Sequence, residues 1–241
     1  MDSSSVVSLV AAVVSALSAL ASAWYARHTI LSERLAAADD LAQRFREPLL
    51  QSAFNLQARL YNIVRLDFLQ RFMTKDSRPE EREYAIENTL YLLGQYFCWV
   101  EIIRRESQFL DPRNRATNRV VADQLEHVRD AFASSQDAEL IFRLFRGEQR
   151  AIGEVMLVPN EKASPGAPRW DCRGYAAFIR GRSDQSNDRW FKQTREDLLL
   201  LSEEPGRHEA RLVVIQHALL DLVELLDPAA DRVSARMRTR L

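Results

Sequence analysis

Two groups of residues have the types and spacing from which polar chemistry could be built. The first lies in the run Tyr96-Phe97-Cys98-Trp99-Val100-Glu101-Ile102-Ile103-Arg104-Arg105-Glu106, where Glu101 and Arg105 stand four apart. On a helix that order places a carboxylate and a guanidinium on one face. They either form an ion pair or, in a partly buried groove, hold a polar ligand. The second group is Arg143, Arg146 and Arg150, a basic row at helical spacing. Such a row is a solvated face or a site for an anionic nucleotide or headgroup.

No recognisable catalytic motif accompanies them. His28, His127, His208 and His217 have no histidine partner four residues away, and Cys98 and Cys172 belong to no CxxC or Cys/His cluster. A metal set is therefore not expected. The sequence contains no GxxxxGK[ST], GxGxxG or GxSxG, so the familiar phosphate cradles and the nucleophile elbow are absent. The sequence favours a non-enzymatic protein with no cofactor, and an enzyme on an unfamiliar helical scaffold is the alternative. One disulfide is arithmetically possible, but a cytoplasmic domain would keep both thiols reduced. The net charge of −1 gives no global electrostatic case for nucleic acid.

The element that must position these groups begins near the N-terminus. Residues 6–25, VVSLVAAVVSALSALASAWY, carry no charge. Twenty helical residues rise about 30 Å, the thickness of a bilayer's hydrocarbon core. This reads as a single transmembrane helix. Asp2 is the one charged side chain before it, whereas Arg27, Arg34, Arg44 and Arg46 follow it. Positive charge stays inside, so the N-terminus is expected outside and the domain in the cytoplasm, at the inner or plasma membrane. The rival is a cleaved signal peptide, for which Ala21-Ser22-Ala23 fits but the acidic start does not. Within the span, Ser8, Ala11, Ser15, Ser18 and Ser22 form a small-residue stripe that would let a second helix approach closely.

After Tyr25 no Gly or Pro occurs before Pro48, so the helix is expected to continue as a juxtamembrane segment over 26–48. Leu31, Leu35, Ala38, Ala42, Phe45 and Leu49 alternate four and three apart, a short coiled-coil seam for a partner or for the protein's own domain. A cytoplasmic helical domain then covers 49–228. Helices are expected over 49–73, 79–107, 115–134, 137–158, from Asn187 or Asp188 to Ser202, and over 207–226. Residues 151–158 fit a short strand equally well, and 159–168 is a Pro/Gly loop. An Arg-rich tail, 229–241, closes the chain. Its Arg232, Arg236 and Arg240 fall on one side of a short helix and could meet anionic headgroups. The fold class is all-α: a transmembrane helix, a long juxtamembrane helix and a multi-helix bundle.

The stretches FREPLLQSAFNLQARLYNIV, YLLGQYFCWVEIIRRESQFLD and FRLFRGEQRAIGE resemble a group of uncharacterised bacterial proteins. The resemblance covers about Phe45 to Pro228. It implies a short N-terminal membrane segment with a helical cytoplasmic domain, and it carries no activity. The expected function is protein interaction or self-association at the membrane. The alternative is an oligomeric membrane-disrupting or pore-forming effector with a sensing cytoplasmic domain.

Overall fold

The computed structural model describes residues 45–106, 115–135, 141–161, 169–204, 206 and 208–241. The expected transmembrane span, its Ser8, Ala11, Ser15, Ser18 and Ser22 stripe, and most of the juxtamembrane seam lie outside these residues. Among the described residues no helix is long and apolar enough to cross a membrane. The chain is mostly helical, as its periodicities predict.

Helix α1 is described over 45–65. Phe45, Leu49, Leu50, Ala53, Leu56, Leu60 and Ile63 recur along one stripe, and every one is buried. That spacing is what a core-facing helix requires. Pro48 lies inside the helix, so the domain border expected there falls within an element. The helix expected to reach residue 73 ends early. Asp67 adopts φ 50, a left-handed conformation that Asp tolerates better than most residues, and α2 (Phe68–Phe72) restarts from it.

Helix α3 (Pro79–Glu106) runs through the centre of the domain. Proline at its first position and Glu80 and Glu81 in its first turn suit a helix start. Leu90, Leu93 and Phe97 are buried as their spacing predicts, but so are Glu87, Thr89, Tyr96, Cys98 and Ile102. Neighbours therefore surround it. Tyr84, near the start of the helix, is 47% exposed.

Helix α4 (Arg115–Ala133) leads, after residues 141–145, to α5 (Arg146–Met156). A helix was expected from residue 137. Its described start is later because Phe142 takes φ 55, is buried, and donates its N–H to Asp197 at 2.8 Å. This tertiary contact overrides local helix preference. Residues 151–158 resolve into both expected alternatives: helix to Met156, then strand β1 (Leu157–Pro159). It pairs antiparallel with β2 (Trp170–Cys172). Short helices α6 (Tyr175–Arg180) and α7 (Gln185–Asp188) precede α8 (Lys192–Glu203) and α9 (Ala210–Leu226).

Helices α1 and α9 run antiparallel. Arg46 Nε donates to Leu226 O at 2.6 Å, and Gln216 Nε2 donates to Gln57 Oε1 at 2.9 Å. Eleven residues on one helix thus match ten on the other. The tail then folds back along this pair. Asp227 accepts hydrogen bonds from the N–H groups of Asp231, Arg232 and Val233 and from Arg238. Farther on, Gln216 Nε2 donates to Thr239 O, and His217 Nε2 lies 3.0 Å from Leu241 O. The one regular element here is a single 3-10 turn, Ala235–Met237, rather than a one-sided helix.

Helix α4 packs antiparallel on the outer side of α9, with Gln124 Nε2 donating to Ala218 O. Buried Arg211 donates to Phe132 O and Ser134 O at the C-terminal end of α4. A cation suits the negative pole of the helix dipole there.

Candidate functional site

Helices α3 and α5 pack tightly, and the sequence feature that allows it is Gly153. A Cβ at that position would stand 2.5 Å from Phe97 O and 3.0 Å from Phe97 C. Only glycine permits that backbone approach. Gly94 is the gentler counterpart, since a Cβ there would meet Met156 Cγ at 3.1 Å and Phe191 Cζ at 3.2 Å. With α5 held against α3, and α4 alongside, the three helices leave a cleft between them.

The cleft has an empty volume of about 320 Å³, part of it open to solvent. Phe97 and Val100 supply apolar wall; Glu101, Arg104, Arg129, Gln149 and Arg150 supply the polar lining. Three guanidinium groups thus share the lining with one carboxylate. Glu101 is buried and accepts from Arg104 Nε and Nη2, both at 2.7 Å, and from Arg105 Nε at 2.6 Å. Burial pushes its carboxyl up, but the hydrogen bonds from Arg104 and Arg105 outweigh that and hold it below the ordinary carboxylate range. Glu101 stays ionised and is already saturated with donors.

The cations are differently placed. Arg129 donates to Glu126 at 2.6 Å, and Arg150 Nε donates to Glu154 at 3.0 Å. A guanidinium has five N–H donors, so one contact leaves most of its hydrogen-bonding capacity. Gln149 is buried, and its Nε2 donates to Arg129 O at 2.9 Å and to Leu144 O at 2.8 Å. Those two carbonyls fix which end of the amide is nitrogen. Its Oε1 is buried and has no hydrogen-bond partner among the described residues. Tyr96 OH, also buried, shares that condition, and burial raises its pKa far above the phenol range.

The residues singled out from sequence are only partly gathered here. Glu101 and Arg150 line the cleft. Arg105 completes the expected pair with Glu101 and reaches Glu154 at 3.4 Å. Its guanidinium also lies 5.3 Å from the ring centre of Trp170. Arg146 turns instead to α4, donating to Glu126 and Asp130, both at 2.6 Å. Arg143 precedes α5 and rests over the Phe145 ring at 4.9 Å. The three arginines therefore do not form one row, because only two of them lie on the helix.

The tail arginines do not form a common face either. Arg240 pairs with Asp221 and Glu224 of α9, Arg232 lies 3.5 Å from Glu47, and Arg236 is exposed. Arg129 and Gln149 are the members that sequence reasoning missed. Each is an ordinary polar residue of an amphipathic helix, and only the packing of α4 against α5 joins them. A second polar cluster was equally hidden: buried Glu87 of α3 accepts from Arg195, which also binds Asp188.

Among the described residues no group of His, Cys, Asp and Glu side chains could hold a metal ion. No protein-family model, curated protein or solved structure matches the chain.

Proposed function

We propose that this chain is a single-pass membrane protein whose helical domain mediates protein interaction or self-association at the cytoplasmic face. The N-terminus lies outside, and residues 6–25 are the span. What supports the reading above all is that α1 is a core element rather than a linker. Phe45, Leu49 and Leu56 of α1 are buried, and α9 and the tail close over it. Between Tyr25 and Phe45 the sequence has no Gly or Pro. Association of the spans would then bring the domains together in a defined orientation, not on a loose tether.

The test is the mass of the full chain in a mild detergent, measured by light scattering after size separation. More than one chain per micelle is expected, and Ser15→Leu with Ser18→Leu should reduce it by blocking close approach. A single chain per micelle, with no partner recovered by cross-linking in cells, would count against the proposal. The lined cleft favours a second reading, an oligomeric membrane-disrupting effector whose domain senses a signal. Under that reading, vesicles carrying the full chain release an entrapped dye.

A further inference from the structure

Cys98 and Cys172 stand far apart in the sequence, yet the fold brings their thiols together. Cys98 lies on α3 and is fully enclosed. Cys172 ends strand β2, which packs on that helix. Its side chain is half-buried and rests against the same core. The two side chains share a hydrogen bond, and both lie beside Tyr91. Both are free thiols. The Cys172 S–H donates to Arg173 O at 3.7 Å, which leaves its sulfur to accept from the Cys98 S–H. That hydrogen bond, followed by burial and nearby negative charge, pushes the Cys98 thiol up, so it stays protonated. Cys98 has 0% exposure, so a reagent from solvent reaches the pair from the Cys172 side.

We propose that Cys98 and Cys172 form a reversible oxidation site, at which hydrogen peroxide closes a disulfide between α3 and β2. The Cys172 thiolate attacks one peroxide oxygen, the O–O bond breaks, and the departing hydroxide takes up the thiol's proton as water. Cys172 is then a sulfenic acid. The Cys98 sulfur attacks the Cys172 sulfur, the S–O bond breaks, and the Cys98 proton leaves with the hydroxide as a second water. The two thiols lose two electrons, and the peroxide is reduced to two waters. Small thiols reverse the bridge by exchange, so it is transient in a reducing compartment. What the bridge changes is the hold on the β1–β2 hairpin. Without it, the Arg169 N–H donates to Glu106 Oε1 at 3.0 Å, and the Arg105 guanidinium lies 5.3 Å from the Trp170 ring centre. Both contacts open if the hairpin lifts from α3, whereas a disulfide does not.

The experiment treats the full chain in detergent with hydrogen peroxide, then unfolds it in N-ethylmaleimide and reads intact mass and peptides. A Cys98–Cys172 bridge within one chain is expected, with neither thiol labelled and both labels restored by dithiothreitol. Exchange of the Arg173 amide, which donates to Met156 O at 2.8 Å, should slow about tenfold in the bridged chain. Cys98→Ser should leave Cys172 as a sulfenic acid that dimedone traps. If that variant does not fold, Cys172→Ser serves instead, and its Cys98 should resist peroxide until the chain is unfolded. Disulfides between chains, sulfinic acid at Cys172 with Cys98 still labelled, or full labelling of both thiols would overturn the proposal. Oxidation of Cys98 in folded Cys172→Ser, or equal Arg173 exchange with and without the bridge, would do the same.

Discussion

The seam joining α1, α9 and the tail and the seam joining α3, α4 and α5 hold helices together in opposite ways. The first is lined by Leu, Ile and Val, and its few polar side chains are bonded across it, Gln216 to Gln57 and Asp227 to three backbone N–H groups. The second depends on a glycine contact, and its polar lining includes a buried oxygen with no partner among the described residues. Both seams bury aliphatic or aromatic side chains, so burial alone does not separate them. The state of their polar atoms does. Each polar bond lost from the first seam leaves a buried partner unsatisfied, whereas the second already carries one such atom, Gln149 Oε1.

Substitutions should expose that contrast. The largest effect is expected at Leu56, fully buried on α1, where Leu56→Ala removes core volume. It should cost about 3 to 4 kcal/mol in denaturant unfolding. On the other seam, Gly153→Ala forces a methyl toward Phe97 O and should cost about 2 to 3 kcal/mol. Gly94→Ala meets only side-chain atoms that can turn aside, and should cost less than about 1 kcal/mol. Equal penalties at the two glycines would mean that backbone contact is not what sets the α3–α5 spacing.

A smaller, local effect tests the tail. Hydrogen bonds from the Val233 N–H and its neighbours, and then the charge of Arg238, hold the Asp227 carboxyl below its ordinary range. The folded pKa is lowered, so this contribution is fully present above the ordinary carboxylate pKa and disappears as pH falls through the lowered one. Acidification should therefore release the tail before the helices melt, seen as lost protection of the Val233 amide in hydrogen exchange. Asp227→Asn should give the same loss at neutral pH. The smallest stability change is expected for Arg150→Gln. Its side chain is 53% exposed in its pair with Glu154, so the change should stay within about 0.5 kcal/mol. That near-silence in stability is what sets it apart from Leu56 and Gly153.

Helix periodicity and caps made much of this architecture legible. Pro79 with its acidic followers marked the start of α3, and the Glu101–Arg105 spacing foretold a real pair. The helix after Pro48 was readable too, but Phe45 read as part of a separate seam and instead continues the buried stripe of α1 through Pro48. Two kinds of information were not. Backbone reversals at Asp67 and Phe142 are imposed by packing and by a distant carboxylate, and neither leaves a Gly or Pro mark. The tail's arginines read as a charged, helical end, but the anions that engage Arg232, Arg238 and Arg240 lie on other segments. The cleft failed for the same reason. Glu101, Arg129 and Gln149 come from three helices, and no local pattern in any one of them points to the other two.

The tether itself is best tested by washing membranes from cells that make the full chain with alkaline carbonate. The account predicts that the chain stays in the pellet, with its domain shielded from protease added outside the cell until the membrane is opened. Recovery of the intact chain in the wash, or cleavage of the domain in unbroken cells, would contradict it.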